Sequence, residues 1–374
     1  MTTPGLILAG LSTDSGQLDI IDEFRRLNPS RRIARFSAGA LVPGVHLLDP
    51  VMCGVRETVA LYAASSRSAE MAVIVGPRGL FDAPQIPGYL SARPATMSDT
   101  APASPAHLAA LLGLPVVLVI DVSGMSQTIG AVIKGVTMMD PEVRVQGVFL
   151  MGYTTETHRD LCRMAVEAQG VAVIENVADV LELAEHPTGD GVARGECVNK
   201  HPGELVVAVT TGALPEWADV LGARGAQVVK FDPLTEPIPA CDGVIIDGPV
   251  APRLRDYVAG DRPLYVQGPA AWQVVEELGV QAMPGDYEPG VYREAVAITE
   301  SAVLSAGHRV VGIATARELL VDSPGWEPIW AWRTEDGRIT REGMCRGNIT
   351  ATALCIHPAA GTVAVERFLA ACAT

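Results

Sequence analysis

The first segment able to carry chemistry follows a short apolar run near the amino end. It reads Gly10-Leu11-Ser12-Thr13-Asp14-Ser15-Gly16-Gln17-Leu18, with glycines placed as in a phosphate-binding loop that opens a helix. A working loop carries Lys and then Ser or Thr after its last glycine. The ammonium neutralises the β- and γ-phosphates, and the hydroxyl holds Mg²⁺. Here those two positions are Gln17 and Leu18. No neighbouring lysine can substitute, because the lysines of this chain are Lys134, Lys200 and Lys230. Backbone N–H groups at a helix start still attract anions. Gly10, Ser12, Thr13, Ser15 and Gly16 are therefore candidate ligand-binding residues, set against the plainer reading of a simple strand-to-helix turn.

A second candidate lies near the carboxyl end. Cys355 and His357 are spaced to share a metal ion, but a four-ligand zinc site needs two more partners and no second pair completes one. No metal is expected. The seven cysteines are dispersed without a C-x-x-C, which reads as free and mostly buried thiols.

Positioning such residues requires a scaffold, and the hydrophobic pattern supplies one. Short apolar runs alternate with amphipathic stretches, the signature of parallel sheets wrapped by helices. Gly5–Ala9, Arg32–Phe36, Met71–Val75, Pro115–Ile120, Val145–Leu150 and Val171–Ile174 read as strands. Leu18–Leu27, Ala106–Leu112 and Gln127–Met138 read as helices. A Gly-rich polar stretch from about His186 to Gly203 has no periodicity and reads as a linker. Strands resume at Leu205–Val209, Ala226–Val229, Gly243–Ile246 and Pro263–Val266. Irregular β-type segments run from Ala295 to Ala331, and a last helix covers Val363–Ala373. The expected architecture is α/β with two tandem domains, each a mainly parallel sheet flanked by helices. The domains span residues 1–187 and 204–374, joined by a linker at 188–203.

Bulk properties agree with this picture. At 374 residues the chain is long for one core. Apolar residues make up 48%, charged ones 19%, and the net charge is −15. An acidic chain without a basic run argues against nucleic acid and anionic membranes as partners. The amino end lacks a basic region or cleavage-site pattern, and the longest apolar stretch, Leu111–Ile120, is too short to span a bilayer. A cytoplasmic setting is expected.

Three further segments occur in order: Leu47-Leu48-Asp49-Pro50-Val51-Met52-Cys53-Gly54, Ala72 to Asp82, and Ser104 to Gln127. Together with Phe231-Asp232-Pro233-Leu234, Val291-Tyr292-Arg293-Glu294 and the stretch Gly347-Asn348…His357, they make the chain similar, over nearly its whole length, to cobyrinic acid a,c-diamide synthases. The resemblance implies a dethiobiotin-synthetase-like first domain of the P-loop type, a class I glutamine amidotransferase-like second domain, and homodimers. In that family ATP phosphorylates a side-chain carboxylate of a corrinoid precursor, and ammonia released from glutamine displaces the phosphate. By the same resemblance, Asp49, Ser104, Asp121, Gly124, Met125 and Ser126 fall where substrate and domain contacts are expected, or simply maintain packing.

The departures from the family pattern fall on its chemistry. The phosphate-loop Lys and Thr correspond to Gln17 and Leu18. The acid-bearing Mg²⁺ segment corresponds to Ala38-Gly39-Ala40-Leu41-Val42-Pro43-Gly44, which contains no acid. A strand-end Glu corresponds to Val75, and an adenine-binding Asn to Met151. The nucleophilic cysteine corresponds to Gly268 in Tyr265-Val266-Gln267-Gly268-Pro269-Ala270. His357 remains as the candidate catalytic base, or as a structural histidine. Glutaminase chemistry needs a thiolate on the elbow, activated by that base. ATP and Mg²⁺, which the family uses, are not expected to serve as cofactors here. The expectation is a pseudoenzyme or repurposed protein that binds a tetrapyrrole-like or other small molecule, or a partner protein. The alternatives are new nucleotide-independent chemistry, and amidation from free ammonia.

Overall fold

The computed structural model describes every residue except 1, 14–15, 86–100, 190–204, 250–252, 286–288, 316–317, 322, 335 and 361. Ser15 and most of the expected linker, from residue 190 onward, lie outside the described residues.

Seven strands form the first sheet: β1 (Gly5–Gly10), β2 (Ile33–Ala38), β3 (His46–Leu48), β4 (Met71–Gly79), β5 (Val116–Asp121), β6 (Val145–Met151) and β7 (Ala172–Ile174). Their order is β3-β2-β4-β1-β5-β6-β7 and every pairing is parallel. β1 is buried along its whole length and β5 up to its last residue, as unbroken apolar runs demand when helices cover both faces. Those helices are α1 (Gln17–Leu27), α2 (Val55–Ser66), α3 (Pro105–Leu112), α4 (Ile129–Met139), α5 (Glu156–Glu167) and α6 (Val177–Glu182). α1 buries Ile20, Ile21 and Phe24, and places Asp19 in its first turn and Arg25 and Arg26 in its last, matching the helix dipole. α3 is bounded by an N-cap at Ser104, whose hydroxyl accepts from His107 N–H, by Pro105, and by a left-handed Gly113 at φ 65°.

The second sheet has ten strands in the order β19-β14-β13-β16-β17-β18-β11-β10-β8-β9. They are β8 (Val206–Thr210), β9 (Gln227–Phe231), β10 (Gly243–Ile246), β11 (Leu264–Gln267), β13 (Val291–Ala297), β14 (Arg309–Ala314), β16 (Glu327–Arg333), β17 (Ile339–Arg346), β18 (Ile349–Thr352) and β19 (Leu354–Ile356). β12 (Gln281–Pro284) and β15 (Glu318–Val321) pair separately. The helices of this half are α7 (Glu216–Ala223), α8 (Arg255–Val258), α9 (Pro269–Gln273), α10 (Val275–Leu278) and α11 (Thr362–Cys372).

Only part of this second sheet has the parallel pairing expected from sequence. β9, β8, β10, β11 and β18 are parallel neighbours, whereas every pairing from β18 to β19 by way of β17, β16, β13 and β14 is antiparallel. Connection length explains the change. Parallel neighbours need a crossover of a dozen or more residues, and Gly347-Asn348 alone separates β17 from β18. β18 and β19 are one chain segment broken at Ala353. Its first part pairs with β17 and β11 and its second with β14, so the antiparallel ladder returns on itself.

Apolar packing crosses between the sheets. Leu47, Met52 and Ala103 from the first half join Trp217, Tyr265 and Tyr292 in one buried cluster. Among the described residues no helix is long and apolar enough to cross a membrane.

Candidate functional site at the seam between the sheets

The glycine turn that opens α1 is packed by Gln17 from the helix start and by Met151 from the end of β6. Gly16 adopts φ 86° at the start of α1, and a Cβ there would meet Met151 Sδ at 2.7 Å. Gln17 is 2% exposed, and its Nε2 donates to Gly76 O at 2.9 Å. The amide thus lies folded across the carboxyl ends of β1 and β4. Gly10 ends β1, where its carbonyl accepts from Leu80 N–H. Ser12 and Thr13 are exposed on the loop.

Asp121 closes β5 on the same edge, paired in register with Met151. Its Oδ1 accepts from Ser123 N–H at 2.7 Å, and this N–H holds the carboxyl below the usual carboxylate range. Gly124, Met125 and Ser126 form the turn into α4. Met125 O accepts from His158 Nε2, and Ser126 O from Ile129 N–H. The structure therefore gathers Gly10, Gly16 and Asp121 at one sheet edge. Ser104 is placed apart, as the buried N-cap of α3.

Asp49 and His357 serve the seam. Asp49 Oδ1 accepts from Val51 and Met52 N–H, each at 3.0 Å, and Oδ2 accepts from Tyr292 OH at 2.6 Å. Burial raises its carboxyl above the ordinary range despite these donors. His357 Nδ1 accepts from Ala359 N–H at 3.1 Å. Its proton is then on Nε2, which donates to Leu47 O at 3.0 Å. Leu47 N–H in turn donates to Glu216 Oε1 at 2.6 Å. Both ring nitrogens of His357 are thus engaged by backbone groups, one of Leu47 and one of Ala359. The described residues contain no group of three or more ligands suited to a metal ion.

The elbow after β11 holds a different set. Gly268 has φ 70° and ψ −147° and leads directly into α9, the sharp strand-to-helix turn that presents nucleophiles in α/β enzymes. A Cβ at Gly268 would stand 2.6 Å from Cys355 Sγ, 3.6 Å from Thr315 Oγ1 and 3.9 Å from Asp247 Oδ1. The neighbour that sets this arrangement is Gln267. Fully buried, it accepts from Ile356 N–H at 3.1 Å and donates to Ile356 O at 3.3 Å, which pins β19 beside the elbow. Burial, reinforced by the negative charge of Asp247, pushes the Cys355 thiol well above its ordinary range. Asp247 accepts from Leu214 N–H and Trp217 Nε1–H through Oδ2, and burial pushes its carboxyl up to about 6.

Cys355 and Asp247 line a cavity of about 320 Å³ at the seam, walled also by residues 39–43, Gly248 and Gly290. Sequence reading missed Arg78, Asp247 and Thr315, which all contribute to this wall. A signal for Arg78 and Asp247 did exist: each stands at or just past the carboxyl end of a buried parallel strand, where open α/β sheets place ligands.

Two helix-flanked α/β sheets, with a glycine-bearing strand-to-helix turn in the first and a sharp elbow at Gly268 in the second, define the class of protein. No family model matches the chain. Hydrogenobyrinate a,c-diamide synthase from Mycobacterium tuberculosis is 29% identical, over 90% of this chain and 91% of that protein. The Streptomyces coelicolor protein of the same name is 25% identical over 99% and 98%, and cobyrinate a,c-diamide synthase from Gloeobacter violaceus is 28% identical over 84% and 82%. Among solved structures, a glutamine amidotransferase from Thermotoga maritima gives a TM-score of 0.35 at 11% identity, covering 45% of this chain and 82% of that one. Relatives of 25–29% identity over most of the chain support its placement as a divergent member of the cobyrinate and hydrogenobyrinate a,c-diamide synthase family.

Proposed function

We propose that this chain is a retired or repurposed a,c-diamide synthase, which binds a small molecule at the seam without ATP-driven, glutamine-dependent amidation. The observation that carries the proposal is the elbow. Gly268 offers no nucleophile, and the space its side chain would occupy holds the protonated thiol of Cys355. A buried neutral thiol is a poor nucleophile, and His357 is already spent on Leu47 and Ala359.

The residues of the first half do not fit ATP–Mg²⁺ either. Gln17 brings no charge and its amide is held by Gly76 O, Met151 packs against the loop glycine, and residues 38–44 contain no acid. Two domains at 1–187 and 204–374 that close on a shared ligand pocket complete the proposal.

Mass spectrometry of hydrogenobyrinic acid, incubated with the protein, ATP–Mg²⁺ and either glutamine or ammonium, tests it. The expected result is an unchanged substrate mass. A mass change for each carboxylate converted to amide, or calorimetric ATP binding at micromolar affinity, overturns it.

A further inference from the structure

Arg78 is the penultimate residue of β4, and its side chain belongs to the wall of the seam cavity. Its Nε is buried without a hydrogen-bond partner, and no carboxylate among the described residues lies within ion-pair distance of it. Such a cation is costly to leave unmatched. Arg78 is half-buried, and its buried Nε–H, facing no acceptor, forfeits hydration without a hydrogen bond in return. The acidic wall residue, Asp247, forms no ion pair with it, and its Oδ2 is committed to Leu214 and Trp217. Gly290 keeps the approach open: even a Cβ there would come 3.6 Å from Arg78 Nη2.

The rest of the wall narrows the ligand. Leu41, Pro43, Pro249 and Ile313 give it an apolar surface, and 320 Å³ is at the small end of ligand sites. A volume of that size suits one small acid, or one carboxylate-bearing arm of a larger molecule. Charge decides between anions. A single guanidinium fork matches one carboxylate in bidentate fashion. A phosphate near neutral pH would bring nearly two charges to one cation, with Asp247 in the same wall.

We propose that the seam cavity binds a carboxylate on a compact apolar body, gripped by Arg78, so that the ligand touches both sheets at once. This deepens the binding role proposed above and rests on it. The carboxylate arrives either as a free small acid or as an arm of a larger molecule, and the chemistry recognised is the same.

Calorimetry on the full chain tests this with 4-methylpentanoate, hydrogenobyrinic acid, the neutral isostere 4-methylpentanamide and inorganic phosphate. One or both acids should bind while the amide and phosphate do not. Binding of the simple acid identifies a free small acid as the source, and binding of the macrocycle alone identifies an arm. Arg78→Gln should weaken binding at least about tenfold, the loss expected for a charge-assisted pair, and Arg78→Lys should fall between. Leu41→Trp, which fills the cavity from the 39–43 wall, should also abolish binding and covers the case in which Arg78→Gln fails to fold. No binding of either acid at millimolar concentration, equal binding of the amide, binding of phosphate in preference to the acids, or indifference to Arg78→Gln overturns the proposal. Amidation in the mass-spectrometric assay with Arg78-dependent binding intact would sink the loss of catalysis and leave this site standing.

Discussion

Cys355 Sγ stands where the side chain of an elbow nucleophile would be, 2.6 Å from a Cβ built on Gly268. The two positions therefore exclude each other's side chains. Gly268→Ala adds strain at a backbone conformation reserved for glycine, about 1–3 kcal/mol, and overpacking of about 1–3 kcal/mol. Repeated in a Cys355→Ala background, the loss should shrink by about 1–2 kcal/mol, measured as a coupling energy in urea unfolding. Strict additivity would show that the contact is not felt.

Asp247 makes stability depend on pH. Its carboxyl is raised from an ordinary 3.8 to about 6 in the folded chain, so the native state binds that proton more tightly than the unfolded state. The resulting stabilisation is fully present below pH 3.8 and is lost as pH rises through about 6. Across that window it amounts to about 3 kcal/mol. Asp247→Asn should remove this part of the slope, read from denaturant midpoints at pH 4, 5, 6 and 7. An unchanged slope in the variant would assign it elsewhere.

Gln17 is held in place by one buried bond. Gln17→Ala removes the donor to Gly76 O and should cost about 1–3 kcal/mol. Gln17→Lys restores the charge typical of phosphate loops but supplies no acid at 38–44, so calorimetry with ATP–Mg²⁺ should still give no binding below millimolar concentration. Micromolar affinity in that single variant would mean that the loop needs only its lysine.

His357 bridges the sheets and should matter for stability. His357→Ala leaves Leu47 O without its donor and opens a hole at the seam, a combined loss of about 2–4 kcal/mol. Amide exchange at Leu47 should quicken as the seam opens locally. Unaltered protection there would remove His357 from the latch.

The unbroken apolar runs that became β1, β5, β10 and β11 were legible in the sequence because burial on both faces leaves no other pattern. α5 was not, since Cys162 and Val166 are its only buried residues and its remaining surface reads as polar. Three-residue β3 was too short to register. The antiparallel pairing beyond β18 hid in what looked like irregular β segments. At the site, the missing charge at Gln17 and the missing thiol at Gly268 were visible as residue types. The partners that replace them, Gly76 O and Cys355 Sγ, come from 59 residues away in one case and from a pairing across the sheet in the other. Such neighbours leave no local trace.

The bond from His357 to Leu47 joins residues 310 apart in sequence. Contacts of that span form late, because the loop they close must be paid for in entropy first. Leu354 and Ile356 of β19, the last strand, belong to the same buried cluster as Leu47, Met52 and Ala103, so part of that apolar surface is left open until it docks. A nascent or shortened chain lacking the 349–357 segment would therefore be sticky, and its dependence on chaperones would end only when the last strand docked.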